Sequence, residues 1–110
     1  MNRSGRVYCR SEYAGRIEEL PDGSYRFSYD DGYLASAGAR PVSLSLPLRR
    51  DPFTSADLFP FFYGLLAEGI LKDTQCRKLK LDENDHFGRL LKTADRDTIG
   101  AVTVVEEAEA

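Results

Sequence analysis

His86 is the only histidine in the chain and stands among Asn84, Asp85 and Phe87, where a carboxylate could pair with its ring. General-base chemistry would also need a nucleophile and a group that orients the imidazole. No Gly-x-Ser-x-Gly elbow supplies the nucleophile, so His86 reads as a surface or capping-region side chain. The carboxylates Asp82, Glu83 and Asp85 imitate a calcium loop, but such a loop needs glycine at its sixth position and Phe87 stands there. They read instead as the acidic start of a helix, where the helix dipole favours negative charge. Cys9 and Cys76 belong to no Cys-x-x-Cys pair, which indicates two reduced, mostly buried thiols rather than a disulfide or a zinc site. The nine glycines are scattered and form neither phosphate-binding loop pattern. Arg49-Arg50 and the group Arg77, Lys78 and Lys80 are the basic clusters, and both read as solvated charge, the second placed to answer a helix C-terminus. No cofactor, metal or catalytic residue is expected.

Composition narrows the classes further. A chain of 110 residues is one domain, too short for a kinase, a dinucleotide-binding enzyme or a barrel. Fifteen basic against 18 acidic residues leave a formal charge of −3, which does not recruit nucleic acid. No apolar run approaches the ~18 residues of a membrane span and none has signal-peptide length, so a cytoplasmic protein is expected. The polar start, Met1 to Gly5, and the acidic end are expected to fray. The run VVEEAEA reads as a natural end, with a fragment of a longer toxin as the alternative.

The segment Leu58-Phe59-Pro60-Phe61-Phe62-Tyr63-Gly64-Leu65-Leu66 carries the most information. At helical spacing its apolar positions cover an arc of about 200°, wider than the roughly 100° stripe of a one-sided helix. Either the sheet, the other helices and the preceding loop bury both flanks, or one flank meets another protein. Ile70 and Leu71 follow directly and extend the same surface.

These residues need elements to position them. Val7 and Cys9 alternate with Arg6, Tyr8 and Arg10, a half-buried strand over 6–10. Residues 14–20 extend as its antiparallel neighbour, Pro21-Asp22-Gly23 turns, and Tyr25, Phe27 and Tyr29 alternate along a third strand. Tyr33-Leu34-Ala35 suits one helical turn, and Val42, Leu44 and Leu46 predict a short strand between two prolines. Thr54 and Asp57 predict a helix start, with the helix running through Leu66 and kinked at Pro60. A second helix covers about 70–79 after Glu68-Gly69 breaks the run. A third carries Phe87, Leu90, Leu91 and Ala94, and a last strand lies within 100–105. The order predicts an α+β domain, a small antiparallel β-sheet with about three helices packed on one face.

Three separated blocks then carry a resemblance. They are Ala39-Arg40-Pro41-Val42-Ser43-Leu44-Ser45-Leu46-Pro47-Leu48, the Leu58 to Gly69 segment, and Asp97-Thr98-Ile99-Gly100-Ala101-Val102-Thr103-Val104. Together, in this order, they resemble the N-terminal subdomain of HipA-type serine/threonine kinase toxins over nearly the whole chain. In that family the ATP-binding loop, the catalytic aspartate and the metal ligands lie in later sequence. A free-standing copy resembles HipS, the small subunit of HipBST toxin–antitoxin systems. The resemblance implies a non-catalytic antitoxin that binds and neutralises a HipT-type kinase, with an assembly subunit linking the kinase to a HipB-like DNA-binding protein as the alternative. It implies partner binding through Phe59, Phe61, Phe62, Tyr63, Glu68, Gly69, Ile70 and Leu71. The chain departs from the family there: it has no tryptophan, and Ile70 stands where relatives can carry one. An aliphatic side chain buries less area than an indole and lacks its N–H.

Overall fold

The computed structural model describes residues 3–66, 69–94 and 102–107, with the backbone alone at 69 and 70. Strand β1 (Ser4–Cys9) and strand β2 (Glu12–Glu19) form an antiparallel hairpin. Arg10 and Ser11 join them at φ 52° and 70°, the left-handed pair that a tight two-residue hairpin requires. Gly23 at φ 88° completes the next turn into β3 (Tyr25–Tyr29), whose limits are those the alternation predicts. Helix α1 (Asp31–Ala35) follows, capped by the Asp30 side chain accepting from the Tyr33 N–H. Strand β4 (Phe53–Ser55), helices α2 (Pro60–Tyr63), α3 (Gly69–Leu79) and α4 (His86–Thr93), and strand β5 (Val102–Glu106) complete the order. Among the described residues the five strands form one antiparallel sheet ordered β4-β3-β2-β1-β5, with four helices of which two are single turns, so the α+β expectation holds.

Register explains the core. Val7, Ile17, Phe27 and Val104 fall on one face because they pair across the ladder in steps of two, and all four are fully buried. Phe62, Phe87, Leu90 and Leu91 close over that face from the helices. The ring of Phe62 lies 5.5 Å from that of Phe27, and Phe87 meets Tyr25 edge-on at 5.4 Å. Arg6, Arg16 and Arg26 point to the opposite face, where Arg16 and Arg26 pair with Glu18 and Arg16 also reaches Glu107. Cys9 and Cys76 are both free and buried, as their spacing indicated.

Two elements differ from the sequence expectation. The helix predicted from Thr54 begins only at Pro60, because Phe53, Thr54 and Ser55 pair with Phe27, Arg26 and Tyr25 as a sheet edge. Pro60 is therefore the first residue of a helix, where a missing N–H costs nothing, and not a kink inside one. The strand predicted at Val42–Leu46 is a loop held by one bridge between Ser43 and Leu46. Val42 and Leu46 are buried while Leu44 is 97% exposed at the tip. Two tyrosine hydroxyls replace a ladder: Tyr29 accepts from the Val42 N–H at 3.0 Å and donates to the Leu46 carbonyl. Tyr33 accepts from the Arg40 N–H and donates to its carbonyl at 2.6 Å. The chain start is also better ordered than expected from residue 3 onward, since Ser4 and Gly5 belong to β1. Gly100 and Ala101 lie outside the described residues.

Candidate functional site

Helix α2 is one turn long, so its aromatic residues divide sharply between inside and outside. Phe59 and Phe62 are buried, and Phe61 is half-buried with its ring 5.2 Å from that of Phe62. As placed, Phe59 and Phe62 serve the core and are closed to a partner. Tyr63 turns outward, 46% exposed, with its ring edge-on to His86 at 4.9 Å. Of the apolar arc read from the sequence, one flank is covered and the Tyr63 flank is open.

Helix α3 also carries exposed apolar side chains. Among its described side chains only Cys76 is buried, while Leu71 and Leu79 are 53% and 50% exposed. An isolated helix of 11 residues is shorter than the ~12–15 that water tolerates even for good formers, so α3 gains from any surface that covers it. Leu79 was not singled out by sequence. Glu68 lies outside the described residues, as does the side chain of Ile70.

Arg3 closes the site from the other side. Its guanidinium donates to both Glu19 oxygens at 3.1 and 3.0 Å and to both Asp85 oxygens at 2.7 and 3.0 Å. It also lies 5.4 Å from the centre of the Phe87 ring. One side chain thereby fastens β2 to the start of α4. Asp85 is the N-cap of that helix and accepts from the Gly88 N–H at 3.1 Å. The Arg3 hydrogen bonds, aided by the Gly88 N–H and by nearby positive charge, hold the Asp85 carboxyl below its ordinary range despite partial burial. The same bonds push the Arg3 guanidinium further up. Asp85 thus engages Arg3 and Gly88, and His86 Nδ1 is buried with no partner among the described residues. Among the described residues no carboxylate is hydrogen-bonded to the ring.

Between these groups opens a cleft of about 370 Å³ lined by Arg3, Glu19, Tyr25, Asp57, Tyr63, Asp85 and their neighbours. Burial, then the charge of Glu19, raises the Tyr25 hydroxyl pKa; Asp85 and Asp57 add to this and Arg3 opposes it. Among the described residues no three His, Cys, Asp or Glu are placed to hold a metal ion. Of the basic clusters, Arg49 stacks 3.7 Å from the centre of the Phe53 ring and donates to the Asp51 and Pro52 carbonyls, while Arg77 and Lys78 close α3.

The fold and these residues match known proteins. The profile of the HipA N-terminal domain fits residues 5–105. This chain belongs to the HipA N-terminal domain family. A solved structure described as the N-terminal domain of HipA toxin superimposes with a TM-score of 0.71 at 34% identity, covering 98% of this chain and 95% of that one. An uncharacterized Haemophilus influenzae protein is 37% identical over 107 residues, 97% of this chain and 95% of its own length. A Sinorhizobium fredii protein named as a kinase, Y4mE, is 29% identical over 101 residues, and this chain spans only 24% of it. The HipA N-terminal domain is a kinase-associated unit of small size, and the HipS-like resemblance read from the three sequence blocks agrees with both matches. No helix among the described residues is long and apolar enough to cross a membrane.

Proposed function

We propose that this chain is a non-catalytic antitoxin subunit that binds a HipT-type serine/threonine kinase and neutralises it. The observation that carries the reading is the outward-facing apolar side chains of α2 and α3, Tyr63, Leu71 and Leu79, each about half-exposed, on a chain similar to 24% of a longer protein named as a kinase. A contact between a domain and a kinase body in one chain can equally form between separate chains. Inhibition needs only that the domain bind one state of the kinase better than another, so no catalytic residue is required.

Magnitudes set what the surface must contain. Fully burying a large apolar side chain is worth about 1.5–3 kcal/mol, so covering the exposed half of three such residues contributes roughly 2–4 kcal/mol. Micromolar association requires about 8 kcal/mol. The three residues are therefore part of a larger contact that includes polar groups and Phe61, together with Glu68 and with Gly69 and Ile70 at the start of α3.

Co-expression with a HipT-type kinase tests the reading, scoring co-purification and growth together. Rescue with co-purification is expected, and Tyr63→Ala combined with Leu71→Ala should weaken neutralisation at least about tenfold without loss of fold. Co-purification without rescue would instead assign the chain the assembly role beside a HipB-like protein. Unchanged neutralisation by the double variant would reject the α2–α3 surface.

A further inference from the structure

The cleft beside Tyr63 has more negative charge than its geometry consumes. Three carboxylates, Glu19, Asp57 and Asp85, line it with one guanidinium, Arg3. Arg3 is committed to Glu19 and Asp85 through four hydrogen bonds, so it is not free to receive an anion. Asp57 is exposed, and its carboxylate makes no hydrogen bond or ion pair among the described residues; only its backbone N–H is engaged, with Ser55. Tyr25 and Tyr63 supply aromatic surface to the same space. Its volume, about 370 Å³, lies at the low end of the roughly 300–1,000 Å³ of ligand sites and suits a single side chain. Among the described residues no three ligating groups are placed together for a bare metal ion.

We propose that this cleft seats one arginine side chain of the kinase that the chain binds, with Asp57 as its ion-pair partner and the rings of Tyr25 and Tyr63 beside its guanidinium. The proposal rests on the kinase-binding reading and adds a polar contact beside the apolar surface of α2 and α3. Arginine fits better than lysine because a planar guanidinium can lie on an aromatic face and meet a carboxylate edge at once, whereas an ammonium is a compact, strongly hydrated point charge. Charge in this position also favours encounter with a basic surface and penalises an acidic one.

Two measurements test it. In the first, the isolated chain is titrated with N-acetyl-arginine amide and, separately, with its neutral isostere N-acetyl-citrulline amide, following backbone amide signals. Selective shifts at residues 56–58, 63 and 84–86 with the arginine compound, lost in Asp57→Lys, are expected. Equal shifts with both compounds, or shifts elsewhere, would overturn the seat. In the second, kinase affinity is compared between the wild-type chain, Asp57→Asn and Asp57→Lys, after thermal unfolding has shown that all three fold alike. A loss of about threefold to tenfold for Asn and more for Lys, shrinking at high salt, is expected. Wild-type affinity in Asp57→Lys would overturn the arginine seat while leaving kinase binding intact. Failure of the wild-type chain to bind the kinase would overturn the functional reading and the identity of the occupant, and the amide titration would still decide whether the cleft selects arginine.

Discussion

The two ends of strand β3 are secured by different chemistry. At the Tyr29 end, neutral hydroxyls of Tyr29 and Tyr33 each satisfy a backbone N–H and a backbone carbonyl of the loop 36–52. At the Tyr25 end, Arg3 ties Glu19 to Asp85 with side chains that are 36%, 22% and 38% exposed. Neutral bonds among buried groups are indifferent to salt and expensive to break, because each orphaned partner keeps its desolvation cost. Part-exposed ion pairs are screened and individually worth little. The loop end therefore behaves as structure, and the arginine end, beside the cleft and Tyr63, is the end that can exchange one set of charged contacts for another.

The largest break in that comparison is Tyr29→Phe. It leaves the ring in place but strands the Val42 N–H and the Leu46 carbonyl, both in buried surroundings. At about 1–3 kcal/mol for each orphaned group, a loss of roughly 2–6 kcal/mol is expected in urea unfolding, with unchanged m. A loss below about 1 kcal/mol would mean that the loop is held by its apolar contacts instead.

Asp85→Ala comes next, at about 1–2 kcal/mol, because it removes an N-cap worth roughly 0.5–2 kcal/mol and an ion pair worth up to about 1. Asp85→Asn retains a good cap and isolates the ion pair, so its cost should stay below about 1 kcal/mol. That remaining cost should depend on pH. The folded carboxyl of Asp85 titrates below its unfolded value, so the unfolded state binds the extra proton in acid. Its contribution is complete above the unfolded carboxylate range, about pH 4, and vanishes as pH falls through the depressed folded value. The stability difference between wild type and Asp85→Asn should accordingly shrink as pH falls below about 5 and on through the depressed folded value, whereas the Tyr29→Phe penalty should stay constant. Glu107 moves in the same direction: burial alone would raise it, but the bonds from Arg16 and Ser4 and the charges of Arg16 and Arg6 outweigh that. Only the paired comparison with Asn therefore isolates Asp85.

The sequence made the Tyr29 end half legible and the arginine end hardly at all. Strand β3 and the buried face of α4 follow from local periodicity, period two for Tyr25, Phe27 and Tyr29 and helical spacing for Phe87, Leu90 and Leu91. The Thr54 helix failed because the competing partner of Phe53–Ser55 is a strand some 28 positions earlier, which no local window contains. Arg3 escaped notice for the same reason: it lies in a polar start that looks unstructured, and its partner Asp85 is 82 positions away. The site divides likewise. Tyr63 is legible as an apolar residue on an over-wide arc and Leu71 as its continuation, but the burial of Phe59 and Phe62 depends on Pro60 starting a helix rather than bending one, and no local pattern marks Leu79 as exposed.

Leu44 supplies the smallest and most discriminating effect. Its alternation with Val42 and Leu46 imitates a strand face, yet it stands 97% exposed while those two are buried. If the tyrosine hydroxyls hold this loop, Leu44 contributes nothing to the folded state, and Leu44→Ser should change stability by no more than about 0.5 kcal/mol. The combination of Leu44→Ser with Tyr29→Phe should then cost what Tyr29→Phe costs alone, within the few tenths of a kcal/mol expected of independent sites. A coupling above about 1 kcal/mol would show that the tip packs once the hydroxyl is gone. The rigidity of the loop would then belong to its leucines, and the two ends of β3 would differ less in kind than their hydrogen bonds imply.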